Sequence, residues 1–246
     1  MEVLGVLGVV VALWLLISAA GAFPLLLLWF ADFRYVANPL DTISQAIDAT
    51  GKEWLAAAGF EPEGAIWPLG VRMALFRHRD NHTAMAVYFV AGRVVTDIAT
   101  AFPNDVEITT TSTGDGVVAP FAPGSVMQCL PSLGLEDRWQ KHLEGVQRLC
   151  EHLNAAEQPM GSLSESMGHS QRRQIRHVFT HPWLILTFPY RYFVLRLRYR
   201  NVTVATQLDR GWINTRALSD LVHGCSPWVL CVVVHVLNVL PIRVVG

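Results

Sequence analysis

Between Ser166 and Leu208 the chain carries no acidic residue, and between Val3 and Phe30 it carries no charge of either sign. Lysine is nearly missing as well: Lys52 and Lys141 are the two lysines among 19 basic residues, and the rest are arginine. The four cysteines, Cys129, Cys150, Cys225 and Cys231, form no C-x-x-C pair. That spacing gives neither a zinc ribbon nor a disulfide framework, and all four are expected as buried thiols. There is no G-x-S-x-G, no Walker loop and no G-x-G-x-x-G. The common nucleophile and nucleotide-phosphate motifs are therefore excluded. "TGDGVV", Thr113 to Val118, is too short for a phosphate cradle, and no internal repeat is present.

What is there is apolar. The composition is 52% hydrophobic and 16% charged, against about 25% charged in an average soluble domain. The deficit gathers at the ends. A bilayer core needs about 20 apolar residues, and Val3–Phe30 exceeds that. A cleaved signal peptide is the rival, with "SAAGA" (Ser18–Ala22) as its small-residue site. Two features oppose it: Glu2 stands where a basic n-region belongs, and the apolar run continues through "FPLLLLWF". An uncleaved transmembrane anchor over residues 1–34 is expected. Gly5, Gly8 and Gly21 would let another helix approach it, and Trp29, Phe30 and Arg34 mark its interfacial end. At the other terminus "PWVLCVVVHVLNVLPI" (Pro227–Ile242) holds His235 and Asn238 and is short for a span. A short second helix, a re-entrant segment and a buried Val-rich strand all fit it, so one or two spans are expected.

Charge divides the remainder. Residues Asp32–Glu165 contain 17 acids and 9 bases, and residues Ser166–Gly246 contain 2 acids and 10 bases. Such asymmetry points to an anionic partner for the second half, or to two halves neutralising each other within one fold. Arginine, weakly hydrated and able to bind phosphate bidentately, suits a lipid headgroup layer.

The periodicity of the middle changes from helix to strand and back. Asp41–Ala58 reads as a helix capped by Asp41 and stopped by Gly59. "VRMALFRHR", "TAMAVYFV", "RVVTDIATAF" and "VEITTTST" read as four strands of an antiparallel meander, turned at Ala91–Gly92 and Pro103–Asp105. Leu135–Leu153 reads as a second helix with a stripe of Leu135, Trp139, Leu143, Val146, Leu149 and Leu153 and outer ion pairs Asp137–Lys141 and Glu144–Arg148. Both helices are expected on one face of the sheet, giving a small α+β layer. This predicts a soluble α+β domain over 35–158. A polar linker and a basic aromatic membrane-proximal segment follow over 159–226, and a hydrophobic segment closes the chain over 227–246.

In their order, "FPNDVEITTTST", "APFAPGS" and "LEDRWQKHLEGVQRL" resemble uncharacterised bacterial membrane-anchored proteins. The shared layout is a β-meander, an "STS" element, a Pro/Gly loop and a helix, over roughly residues 40 to 200. The resemblance implies an anchored α+β module and brings no known activity.

Three clusters are candidate sites. "RHRDNH" sets His78, Asp80 and His82 at alternate positions, which in an extended strand share a face and could hold a metal for hydrolysis. A solvated turn between two strands is the plainer account. Asp105 and Glu107 alternate on a Thr-rich strand, as on any solvated sheet face. Asn81 and Asn201 match the glycosylation acceptor pattern by composition alone.

The third cluster is "RRQIRHVFTHPWLILTFPYRYFVLRLRYR". Its apolar part, Val178–Tyr190, contains Pro182 and Pro189 and is too short to cross a bilayer. Lying on an anionic surface suits it better, with Trp183 and its aromatic neighbours at the interface and Arg172, Arg173, Arg176, Arg191, Arg196, Arg198 and Arg200 toward headgroups. The alternation of Arg196, Arg198 and Arg200 predicts a basic edge strand in its second half. Nucleic acid would need a recognised binding motif, and none is present. The resulting expectation is a non-enzymatic, membrane-anchored accessory module or subunit, its domain on the cytoplasmic face, with lipid or a membrane protein as partner and no cofactor. A membrane-tethered metal-dependent hydrolase is the alternative.

Overall fold

The computed structural model describes residues 2–224; the hydrophobic run at Pro227–Ile242 lies outside them. α1 (Glu2–Trp29) is built mainly from Leu, Val and Ala, with Ser18 the one hydroxyl-bearing residue and Pro24 inside it, one backbone donor short. Within it, Val6–Trp29 has a mean hydropathy of 2.4 and is only 6% buried. It is the one helix among the described residues long and apolar enough to cross a membrane. Its 24 residues rise about 36 Å at roughly 1.5 Å each, against a hydrocarbon core of about 30 Å. The helix ends where Asp32 and Arg34 pair at 2.7 Å.

The rest of the chain is organised around one six-stranded sheet in sequential order. Its strands are β1 (Phe60–Ile66), β2 (Met73–His78), β3 (Thr83–Val90), β4 (Arg93–Ala101), β5 (Glu107–Thr111) and β6 (Ser125–Cys129). β1 to β5 form the expected antiparallel meander, and β6 pairs parallel to β5. The Ala91–Gly92 turn closes Val90 onto Arg93 with positive φ at both residues, the geometry whose twist matches a two-residue hairpin. Two strands were not expected. β1 contains Pro62 and Gly64, which interrupt alternation and produce a register shift; as the sheet edge, β1 tolerates a missing N–H. β6 returns after the 112–124 loop, which had read as connection alone.

Helices α2 (Leu40–Thr50), α3 (Lys52–Ala58) and α4 (Leu135–Leu153) cover one face, as expected. The single helix expected over 41–58 is two, because Gly51 sits at φ 90°, ψ 117°. Pro39, not Asp41, occupies the N-cap, and Asp41 instead places its charge in the first turn, where the helix dipole favours it. Under these helices Phe60, Phe76, Met85, Ile98 and Trp139 form one core. Ile108, Val126 and Leu149 form another with α8 (Val204–Asp209) and α9 (Thr215–Val222). On α4 the inward position is His142 and Leu143 is exposed. Its surface pairs are Lys141–Glu144 and Arg148–Glu151, spaced i,i+3 rather than i,i+4.

The opposite face carries α5 (Leu163–Thr180), which begins inside the stretch expected as polar linker. Its inner side is Leu163, Gly168, Ile175 and Val178. Leu163 packs with Phe33, Ile66, Leu75 and Ala86, and a Cβ at Gly168 would meet Phe33 at 3.3 Å. Arg173 fixes the helix to the sheet, donating to Glu107 Oε1 and to Ser125 Oγ, both at 2.9 Å.

Candidate functional site: the basic aromatic segment beside α1

After α5 the chain is helical almost without pause, with a 3-10 turn over Pro182–Thr187, α6 (Phe188–Tyr190), a π stretch over Arg191–Leu195 and α7 (Arg196–Arg198). The basic edge strand expected here is thus a helix. All that remains of it is one bridge between Arg200 and Cys129 at the sheet edge. Pro182 explains the break after α5: the residue before a proline is driven out of helical geometry, and His181 lies at φ −130°, ψ 67°.

This segment packs along α1. Phe179 meets Trp29 edge to face at 6.2 Å. Leu25, Val178 and Phe188 share a buried cluster that also takes in Val118 and Ala119 of the 112–124 loop. Phe188 lies so close over Gly21 that a Cβ there would come within 2.6 Å of its ring. The close approach expected at that glycine is therefore made by the chain itself. Beyond Phe188, Trp14 Nε1 donates to the Leu186 carbonyl at 2.9 Å. Three residues after Leu186 stands Pro189, which has no N–H to offer that carbonyl.

The arginines divide into two groups. Arg191 turns inward, donating to the carbonyls of Val118 and Ala119 at 3.1 and 2.9 Å and lying over the Phe121 ring. Arg196 pairs with Asp115 at 2.7 Å. Arg173 is held by Glu107, as above. Arg198 is exposed and stacks over Trp212 at 4.4 Å. Arg172, Arg176 and Arg200 face solvent, and Arg172 is near enough to Asp32 at the foot of α1 to act on its charge. Trp183 is exposed, its indole against His181. With Leu186, Phe193, Val194 and Leu197 it makes up an exposed apolar stripe.

The His78, Asp80 and His82 cluster is a turn centred on aspartate. Asp80 Oδ1 accepts from the backbone of His82 and Thr83, at 2.8 and 3.1 Å, and Oδ2 meets His78 Nδ1 at 2.8 Å. Burial pushes the Asp80 carboxyl up, but those N–H groups and His78 outweigh it and leave the pKa lowered. Among the described residues no three His, Cys, Asp or Glu side chains are grouped to hold a metal. Asp105 meets His169 at 3.1 Å and Glu107 meets Arg173, so both acids face α5 rather than solvent alone.

Sequence reasoning missed the loop that receives the arginines. Asp115 is the one acid between Glu107 and Glu136, which was a signal that a base would come to it. It also missed Asp97, half-buried on the α5 face of the sheet with its Oδ1 shut off from solvent and its Oδ2 accepting from Tyr88 Oη at 2.8 Å; desolvation raises the pKa of both. No protein-family model, curated protein or solved structure matches the chain.

Proposed function

We propose that the protein is a non-enzymatic, membrane-anchored module whose α+β domain is held against an anionic bilayer surface by the basic aromatic segment. The supporting observation is that two exposed apolar elements lie side by side. Trp14 and Trp29 of α1 meet Leu186 and Phe179 respectively. Trp183, Leu186, Phe193 and Leu197 are exposed, and Arg172 and Arg176 stand solvent-exposed on the neighbouring helix. Aromatic residues settle at the bilayer interface, and each arginine near an anionic surface contributes about 1 kcal/mol. Arg173, Arg191 and Arg196 hold the element to its own domain instead. α1 is the span in this account, and the domain lies on the cytoplasmic face, with Arg34, Arg210 and Arg216 flanking it.

The test is lipid selectivity of the full chain in nanodiscs made with a mixture of phosphatidylcholine and phosphatidylglycerol. Enrichment of the anionic lipid, lost in 0.5 M salt and in a variant with Arg172, Arg176, Arg198 and Arg200 changed to Gln, is the expected outcome. A lipid composition equal to the bulk mixture would overturn the anionic-surface assignment.

A further inference from the structure

The order of contacts along α1 carries more than surface attachment. Phe179 meets Trp29 near the foot of α1, Val178 and Ile185 join the cluster around Leu25, and Leu186 is bonded by Trp14 far up the helix. By Phe188 the contacts have returned to Gly21 and Leu25. From Trp29 to Trp14 the helix rises about 22 Å at roughly 1.5 Å per residue, well over half of the apolar stretch Val6–Trp29. The chain therefore climbs alongside α1, turns near Leu186 and descends.

We infer that residues 179–197 form a re-entrant hairpin embedded in the bilayer hydrocarbon, entering and leaving on the same side, its outer stripe occupied by lipid acyl chains. This rests on the reading of α1 as the membrane span. Three features fit an apolar solvent. Between Arg176 and Arg191 no residue bears a fixed charge. The first arginine on the descending arm, Arg191, is turned onto two carbonyls and an aromatic ring. At the turn Pro189 has no N–H to offer the Leu186 carbonyl, and Trp14, inside the apolar helix, donates to it. Backbone groups at membrane depth must be satisfied within the protein, and non-spanning chain survives there only under that condition. At the tip, Trp183 and Leu186 are about half exposed, which leaves them for acyl chains.

Depth distinguishes this from a segment lying among headgroups. The full chain, with its four cysteines changed to alanine, would be reconstituted in phosphatidylcholine vesicles with a nitroxide at Leu186→Cys, and in parallel at Leu16→Cys of α1. Accessibility to oxygen and to an aqueous nickel chelate gives each depth. A label at 186 as deep as that at 16 is the expected result. A label at 186 among the headgroups while 16 is deep would overturn the hairpin and leave the anchor standing. A label at 186 shielded from both reagents would mean that protein, not lipid, covers the stripe. If 16 itself proves aqueous, the membrane-span reading falls and the hairpin with it. Should the cysteine-free chain fail to reconstitute, a benzophenone side chain at Trp183 in the otherwise native protein answers the same question: a phospholipid adduct on irradiation supports the hairpin, and protein adducts alone, or none, overturn it.

Discussion

Thr110 donates its hydroxyl to Nδ1 of His142 across 2.7 Å, and the direction of that bond follows from its neighbours. The backbone N–H of Val204 can only donate, so the atom of Gln128 that faces it is the oxygen. The Gln128 amide nitrogen then donates to Thr110 Oγ1 at 2.6 Å. The Thr110 proton is left for the ring, which makes Nε2 of His142 the protonated nitrogen and Thr100 Oγ1 its acceptor at 2.8 Å. Thr100 in turn donates to Thr83 at 2.8 Å. A buried chain of polar groups is thus satisfied in one direction from α8 to the β2–β3 turn. Thr110→Val removes an acceptor and a donor together and is expected to cost about 1–3 kcal/mol, with Thr110→Ser losing much less. Thermal unfolding of the full chain in detergent reads both.

The same histidine sets an acid limit. Burial lowers its pKa to about 3 from an ordinary 6.5. Between those values the unfolded chain binds a proton that the folded chain refuses, so stability falls as pH drops below 6.5, by at most about 1.4 kcal/mol per pH unit. Ring resonances of His142 should stay those of the neutral Nε2–H form through the pH range where a free histidine titrates; protonation near 6.5 would sink the assignment.

Asp97 works in the opposite direction. Its carboxyl is raised by burial beside Tyr88, so the folded state holds a proton that the unfolded state has already lost. The contribution is present below the ordinary value of 3.8 and is lost as pH climbs through the folded one. Asp97→Asn keeps an oxygen for the Tyr88 hydroxyl and removes the titration. The variant is therefore expected to gain stability over the parent as pH rises from 4 to 7, measured as the difference in Tm at each pH. A constant difference would show that Asp97 does not titrate in this range.

The meander was legible because its alternation is regular and its turns carry residues suited to positive φ. Asn104 and Asp105 at the second turn adopt it, as Ala91 and Gly92 do at the first. β1 was not legible, since Pro62 and Gly64 erase its pattern. α5 was hidden for a different reason: its buried side includes Ser164 and Gly168, residues that read as linker until Phe33 is seen to press against the glycine. The alternation of Arg196, Arg198 and Arg200 misled because it reflects tertiary partners instead of strand geometry. Arg196 goes to Asp115, Arg198 to Trp212 and Arg200 to the sheet edge. The basic and aromatic character of the candidate site was visible in the sequence; which arginines turn inward depends on a loop distant in the chain.

Arg191 separates holding the segment from binding lipid. Its guanidinium makes two hydrogen bonds, from Nε and from an Nη, to adjacent carbonyls. Arg191→Gln is expected to cost about 1.5–3 kcal/mol for hydrogen bonds to a charged group. Arg191→Lys should not rescue it, because a single ammonium cannot reproduce the planar fork. Arg176→Gln, on the exposed side of α5, should leave Tm unchanged while reducing anionic-lipid enrichment. Equal Tm losses in both variants would contradict this division of roles.

Gly21 offers the last test. A side chain there would run into the Phe188 ring, which its Cβ would approach to 2.6 Å. Gly21→Leu is therefore expected to push the 179–197 segment away from α1, at about 1–3 kcal/mol for overpacking, and to break the bond from Trp14 to Leu186 as the segment moves. Gly8→Leu, at a position with nothing within 4 Å, controls for the change in helix composition. The readout is the Tm of the full chain in detergent, which should fall in Gly21→Leu and stay at the parent value in Gly8→Leu. If the two variants melt alike, Phe188 does not hold the segment to α1, and the contact at Gly21 has no role in fixing it there.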